Sequence, residues 1–270
     1  MRGMLNTISF MSANFVARQL GYRMTEGWAQ GDAATNVHFR PLETFEERFG
    51  EILRDVRALG FEAIDLWLAH LHPSWATEDH VRIARDLLAE QELEVVSLAG
   101  GFGSDRETFA KSCRLAVALG TRILGGNTAL VPSDRGFVID TLKEHALVLG
   151  IENHPERTPA ELRARLGEPR DGSVAVALDT GWFGTHGYDA ATAIHDLQDV
   201  LVHVHLKDVL ERGSHDTCRF GLGVVPIEAC VRALREIGYQ GAISIEHEPA
   251  DADPTEDVVA SLRLLREWLR

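Results

Sequence analysis

The chain has 270 residues, 45% apolar and 25% charged, with 41 Asp plus Glu against 27 Lys plus Arg for a net charge of −14. That mix belongs to a globular protein with a sizeable core and excludes a disordered chain, a fibre and a disulfide mini-domain; the acidic balance argues against nucleic acid and anionic membrane as partners. Three cysteines with no C-x-x-C pair suit a reducing cytoplasm, no secretion signal opens the chain, and no run approaches the roughly 18 apolar residues that span a bilayer.

Eight short apolar runs read as strands: residues 5–11, 63–68, 93–99, 122–126, 147–152, 174–179, 200–206 and 242–246. Most are rich in Val, Ile and Leu, as parallel strands covered on both faces are. The first is followed by an unusually long connection, about 12–43, expected to form a lid. Charged segments with helical spacing separate the other runs. Thr44-x-x-Glu47, Ser104-x-x-Glu107 and Thr158-x-x-Glu161 fit capping boxes, with Pro159 at the favoured first helical position, and Asp253 is a variant cap. Gly60, Gly120 and Gly238 read as helix stops, whereas Gly150 belongs inside its strand. A helix at about 133–145 runs into the fifth strand with almost no connector. The last two helices carry apolar stripes through Ile227, Val231 and Leu234, and through Val258, Leu262, Leu265 and Leu269.

Eight strand-then-helix units without a composition break predict one (β/α)8 TIM barrel over residues 1–270. A doubly wound sheet would announce a Gly-rich phosphate loop after the first strand, and residues 9–14, Ser-Phe-Met-Ser-Ala-Asn, are not one.

In a barrel the chemistry belongs at the C-terminal strand ends. The last four strands end in Glu152, Asp179, His205 and Glu246. A carboxylate ending an apolar strand is costly to desolvate unless it is paired or bound to a cation. One such residue alone is usually a cap or a salt-bridge partner; four in register point to a metal. Hard oxygens with one imidazole suit Mn²⁺ first, with Mg²⁺, Co²⁺ and Zn²⁺ compatible, and exclude a thiolate site.

The series Ile-Glu-Asn-His, Leu-Asp-Thr-Gly, His-Leu-Lys-Asp and Gly-Ala-Ile-Ser-Ile-Glu-His-Glu, all between residues 150 and 248, resembles the xylose isomerase-like TIM barrel superfamily and, within it, the sugar phosphate isomerase/epimerase group. The resemblance implies one divalent metal on Glu152, Asp179, His205 and Glu246, with Glu152 and Glu246 also exchanging the proton. It implies a small sugar or polyol substrate and proton transfer through a metal-stabilised enediolate. Loss of a β-hydroxyl from the same enediolate would instead make the enzyme a dehydratase of inosose or dehydroshikimate type. The superfamily's abasic-site endonucleases need histidines on strands three and four that are missing here. A homo-oligomer is compatible with all of these readings.

Candidate substrate contacts are His154 and Lys207, each two residues beyond a ligand on the same strand face, Arg219 in the seventh loop, and His70 and His72 after strand two. Many relatives carry a histidine three residues after the sixth-strand Asp. Here that position is Trp182, a flat apolar wall, with His186 a stand-in from the loop. Lys207 has a bland alternative in an ion pair with Asp208, His203 reads as a core histidine, and Cys218 as an exposed loop thiol.

Overall fold

The computed structural model describes residues 6–167 and 171–270; Leu5, at the head of the first expected strand, lies outside them. Among the described residues there are nine strands: β1 (Ile8–Met11), β2 (Ala63–Trp67), β3 (Glu94–Gly101), β4 (Ile123–Asn127), β5 (Val148–Glu152), β6 (Val174–Asp179), β7 (Leu201–Val209), β8 (Thr217–Cys218) and β9 (Ile243–Glu246). The parallel order β6-β5-β4-β3-β2-β1-β9-β7, with a further pairing of β6 to β7, closes the eight long strands into a barrel. β8 was not expected. It is a two-residue strand antiparallel to the end of β7, and it buries Cys218, the thiol expected to be exposed.

The helices are α1 (Trp28–Phe39), α2 (Leu42–Ala58), α3 (Glu78–Glu90), α4 (Arg106–Leu119), α5 (Leu130–Ser133), α6 (Arg135–Glu144), α7 (Pro159–Leu166), α8 (Thr180–Thr185), α9 (Ala190–Asp196), α10 (Ile227–Glu236) and α11 (Thr255–Trp268). Three of the four expected start signals shift. Asp105, not Ser104, caps α4 by accepting from Thr108 N; α2 begins two residues before Thr44; and Pro254 rather than Asp253 precedes α11. Thr158 caps α7 as expected, through Glu161 N and with Pro159 in the first turn. His80, which reads as solvated on the sequence, is buried and completes a capping box with Thr77 at the start of α3.

The connection 12–43 is largely helical rather than an open loop. Two 3₁₀ turns precede α1, and the segment is tied down at several points. Met24 N donates to Ala250 O (2.9 Å), Trp75 Nε1 to Asn36 Oδ1 (2.8 Å), and the Trp28 ring meets Trp67 edge-on at 4.9 Å.

The hydrophobic core lies between barrel and helices. Phe10, Ile64, Leu98, Leu124, Leu149, Val176, Val204 and Ile245 point outward from the strands into the helix layer. The barrel's inward positions are instead small or polar, among them Ser9, Asp65, Ser97, Gly125, Gly150, His203 and Ser244. This interior sets up the site above it.

Candidate active site

Sheet register brings the expected site residues together. Asp179 of β6 is the partner of His205 of β7, and Lys207 of β7 is the partner of Glu246 of β9. The β5 end is tied to β6 by Asn153, whose Oδ1 accepts from Asp179 N (2.7 Å) while its Nδ2 donates to Asp179 O (3.0 Å). Its amide imitates one more ladder rung and fixes Glu152 against Asp179.

At the C-terminal mouth these side chains form a continuous polar ring. His205 Nδ1 lies 3.0 Å from Glu152 Oε1 and 2.9 Å from Glu246 Oε2. His154 bridges Glu152 Oε2 (3.3 Å) and Asp179 Oδ2 (3.1 Å). Lys207 Nζ closes the ring with Glu246 Oε1 at 2.5 Å, Asp179 Oδ2 at 3.5 Å and Glu248 Oε2 at 3.2 Å. Thus Glu152, His205 and Glu246 lie together, and Asp179 is linked to them through His154 and Lys207. Lys207 does not pair with Asp208. That carboxylate accepts from Gly221, Gly223 and Val225 N and so folds the seventh loop.

The stem of Lys207 passes where a side chain at position 181 would stand. A Cβ on Gly181 would lie 2.6 Å from Lys207 Cγ, so the Asp-Thr-Gly turn needs glycine here to admit the ammonium. The same turn holds Asp179, whose Oδ1 accepts from Gly181 and Trp182 N.

Mutual charge overrides burial in this ring. Burial opposes the charge of Glu152, yet His154 and His205 hold it well below the usual carboxylate range. Burial also opposes the charges of His205 and Lys207, and the surrounding carboxylates raise both well above their ordinary values. Glu248, on the rim beside Lys207, is pushed up to about 7 by burial.

Trp182 stands beside His154 (ring centroids 4.4 Å apart), stacks on His215 at 5.0 Å and touches His186 edge-on at 4.8 Å. His186 thus serves the tryptophan and makes no contact with the ring. A cavity of about 940 Å³ opens outside the ends of β3 and β4, lined by Gly101, Gly103, Asn127, Arg135 and Arg165. Arg165 Nη1 donates to His154 O (2.9 Å), which joins this cavity to the ring.

Three sequence candidates stand apart. Arg219 is half-exposed and faces Asp257 Oδ1 at 4.0 Å. His72 Nδ1 is engaged by Ser74 Oγ (2.7 Å) in the loop after β2. His70 is fully buried among Ser12, Phe39 and Trp67. Two residues of the site escape sequence reasoning. Glu248 shares the strand face of Glu246, a period-2 signal that could have found it. Asp65 sits mid-strand in β2, where a charge inside an apolar run was the available clue. It accepts at Oδ2 from His203 Nε2 (2.7 Å), His205 Nε2 (2.9 Å) and Ser244 Oγ (2.9 Å), and at Oδ1 from Ser97 Oγ. His203 is the core histidine expected, although its Nδ1 has no hydrogen-bond partner among the described residues.

Among the described residues three groups place ligand atoms within 4.8 Å of one another: Asp65, His203 and His205; Glu152, His154 and Asp179; and Glu152, His205 and Glu246. The last fits a cation well. Glu246 Oε2 makes no hydrogen bond, and its 2.9 Å approach to His205 Nδ1 is an unaligned contact. His205 Nδ1 meets the Glu152 carboxylate at 3.0 Å, so a cation here would take the place of the proton they share, with the free Glu246 Oε2 beside it. In the first group both histidines hydrogen-bond through Nε2 to the same Asp65 oxygen, which leaves none of these atoms facing an open centre.

Other solved structures share this fold. A xylose isomerase-like TIM barrel protein from Mycobacterium smegmatis, solved in complex with magnesium, superposes with a TM-score of 0.72 at 17% identity, covering 97% of this chain and 96% of that one. A D-tagatose 3-epimerase-like protein superposes with a TM-score of 0.70 at 16% identity, covering 97% of each chain. In sequence, the inosose dehydratase of Lacticaseibacillus casei is 27% identical over 127 residues, 40% of this chain and 43% of that protein. The chain spans less than half the length of the curated relatives it matches. No helix among the described residues is long and apolar enough to cross a membrane. The xylose isomerase-like TIM barrel family itself matches over residues 53–268, and the chain belongs to that family.

Proposed function

We propose that the protein is a divalent-metal-dependent sugar or polyol isomerase or epimerase that moves a proton on the carbon beside a carbonyl. The observation that carries this reading is the approach of Glu152, His205 and Glu246 within 4.8 Å of one another at the barrel mouth, with Asp179 joined to Glu152 through His154 and to Glu246 through Lys207. These four would hold the cation, with Mn²⁺ expected from three hard carboxylates and one imidazole. A bound dication polarises the carbonyl and its neighbouring hydroxyl and so makes the adjacent C–H acidic.

The protein's own groups do the rest. Glu152 and Glu246 reach the mouth from β5 and β9, with the two strands β6 and β7 between them in the closed sheet, and each presents a carboxylate to the space between. One takes the proton and the other returns it. His154 and Lys207 keep positive charge beside the developing oxyanion. Trp182 offers its ring to the C–H face of a sugar, and Trp28 with the segment 12–43 covers the side nearest β1 and β2. The three cysteines, buried and unpaired, accord with a reducing cytoplasm.

The test is NMR in D₂O with a panel of ketoses and inososes. Solvent deuterium should enter beside the carbonyl of one of them, cease on exhaustive chelation and return with Mn²⁺. Glu246→Gln should fold normally and exchange nothing. Undiminished exchange after chelation, or in that variant, overturns the reading. Dehydration is a second outcome of the same site, favoured by the match to an inosose dehydratase. Loss of water in the same spectra distinguishes it.

A further inference from the structure

Asp65 lies in the closed interior of the barrel, below the mouth, and its hydrogen-bond partners are two histidines and two serines, none of them a carboxylate of the ring. It is fully buried, and a buried carboxylate persists only if its lone pairs are met. They are. Its two oxygens face four hydrogen-bond donors: the Nε2–H groups of His203 and His205, and the hydroxyls of Ser97 and Ser244. Since an ionised carboxylate only accepts, both histidines must carry hydrogen on Nε2. This matters for His205, whose opposite nitrogen, Nδ1, points up into the ring between Glu152 and Glu246.

We propose that Asp65 is a positioning residue that pins a hydrogen of His205 on Nε2, so that Nδ1 is the nitrogen left for the cation once the ion displaces the proton Nδ1 shares with Glu152. The inference rests on the metal-site reading of the ring. It assigns to a residue of β2 a part in a site whose ligands all come from β5, β6, β7 and β9. His203 shares the same Asp65 oxygen at 2.7 Å and meets the His205 ring edge-on at 5.1 Å. It braces the carboxylate from below, so that the imidazole of His205 can neither flip nor tilt without stripping Asp65 of a donor. An outer partner of this kind contributes about 10–100-fold to metal affinity.

The experiment uses the full chain labelled with ¹⁵N-histidine. In long-range ¹H–¹⁵N spectra of the wild type loaded with Zn²⁺, His205 should show hydrogen on Nε2 and a metal-shifted Nδ1. In Asp65→Asn, Mn²⁺ affinity measured from the free-ion EPR signal should fall about 10–100-fold, and His205 should populate the other tautomer. A role in folding alone would leave the nitrogen assignment unchanged. Zn²⁺ on Nε2 of His203 and His205 would overturn the proposal, since Asp65 would then be a ligand itself. A folded Asp65→Asn with unaltered affinity would overturn it too, while leaving the ring as the metal site. A wild type that binds neither ion removes both readings. If Asp65→Asn fails to fold, the wild-type spectrum decides alone.

Discussion

His70 is enclosed by Phe39, Trp67 and Ser12, with its Nε2 unpartnered, and burial pushes it down to about 3 from the 6.5 of an exposed imidazole. The native state therefore refuses a proton that the unfolded chain accepts. Between pH 6.5 and about 3 the unfolded state binds more protons, so stability present at neutral pH is lost as the pH falls through this window. At pH 5 the loss comes to about 2 kcal/mol from this residue. Urea midpoints of the wild type and His70→Gln should be compared at pH 7 and pH 5. The variant's stability should fall by about 2 kcal/mol less over that interval, whatever its absolute stability. Equal pH dependence in both proteins would show that His70 is protonated without cost. The sequence placed this histidine near the mouth as a substrate contact, because a loop position after β2 says nothing about the Phe39 ring that α1 brings over it.

At the scale of elements, the helix caps separate two adjacent candidates. Ser104 and Asp105 both precede α4, and a capping-box pattern favours the serine. The structure gives the role to Asp105, whose Oδ1 accepts from Thr108 N (2.9 Å) while its Oδ2 accepts from Thr108 Oγ1 (2.8 Å). Asp105→Ala should cost about 1 kcal/mol in denaturant unfolding and Ser104→Ala only a few tenths. The reverse ranking would return the cap to the serine.

The strands were legible in the sequence to within a residue or two at most ends, because both faces of a parallel barrel strand are covered and leave an unbroken apolar run. The caps were less so. A cap depends on where the preceding strand releases the chain, and here β3 runs two residues further than its apolar stretch, to Gly101. Three of the four expected strand ends, Glu152, Asp179 and Glu246, were legible for the same reason as the strands, whereas His205 lies inside β7, which runs three residues past the expected end to Val209. Asp65 was not, since what makes it part of the site is His205, 140 residues away in sequence. Nor was the turning of Arg219 toward Asp257, which depends on where α11 docks.

For the molecule as a whole, the unusual feature is a buried polar network around Asp65 inside the barrel, with an acidic ring above it. Glu152, Asp179, Glu246 and Glu248 face one another across the mouth and are balanced by Lys207, His154 and His205. A dication would tie β5, β6, β7 and β9 together, half of the closed sheet, and an unfolded chain cannot assemble those four ligands. Binding to the native state alone stabilises it by about 2.7 kcal/mol at a free-ion concentration of 100 Kd. For a chain of this size each kcal/mol moves the melting temperature by roughly 2–4 °C. Chelator-stripped protein given saturating Mn²⁺ should therefore melt about 5–10 °C higher, and Asp179→Asn, which loses one ligand but keeps an isosteric side chain, should show a markedly smaller rise at the same Mn²⁺. Coincident melting curves with and without Mn²⁺ at millimolar concentration would mean that Lys207, His154 and His205 satisfy the acidic ring by themselves, and that the four residues meet for a structural reason rather than to hold an ion.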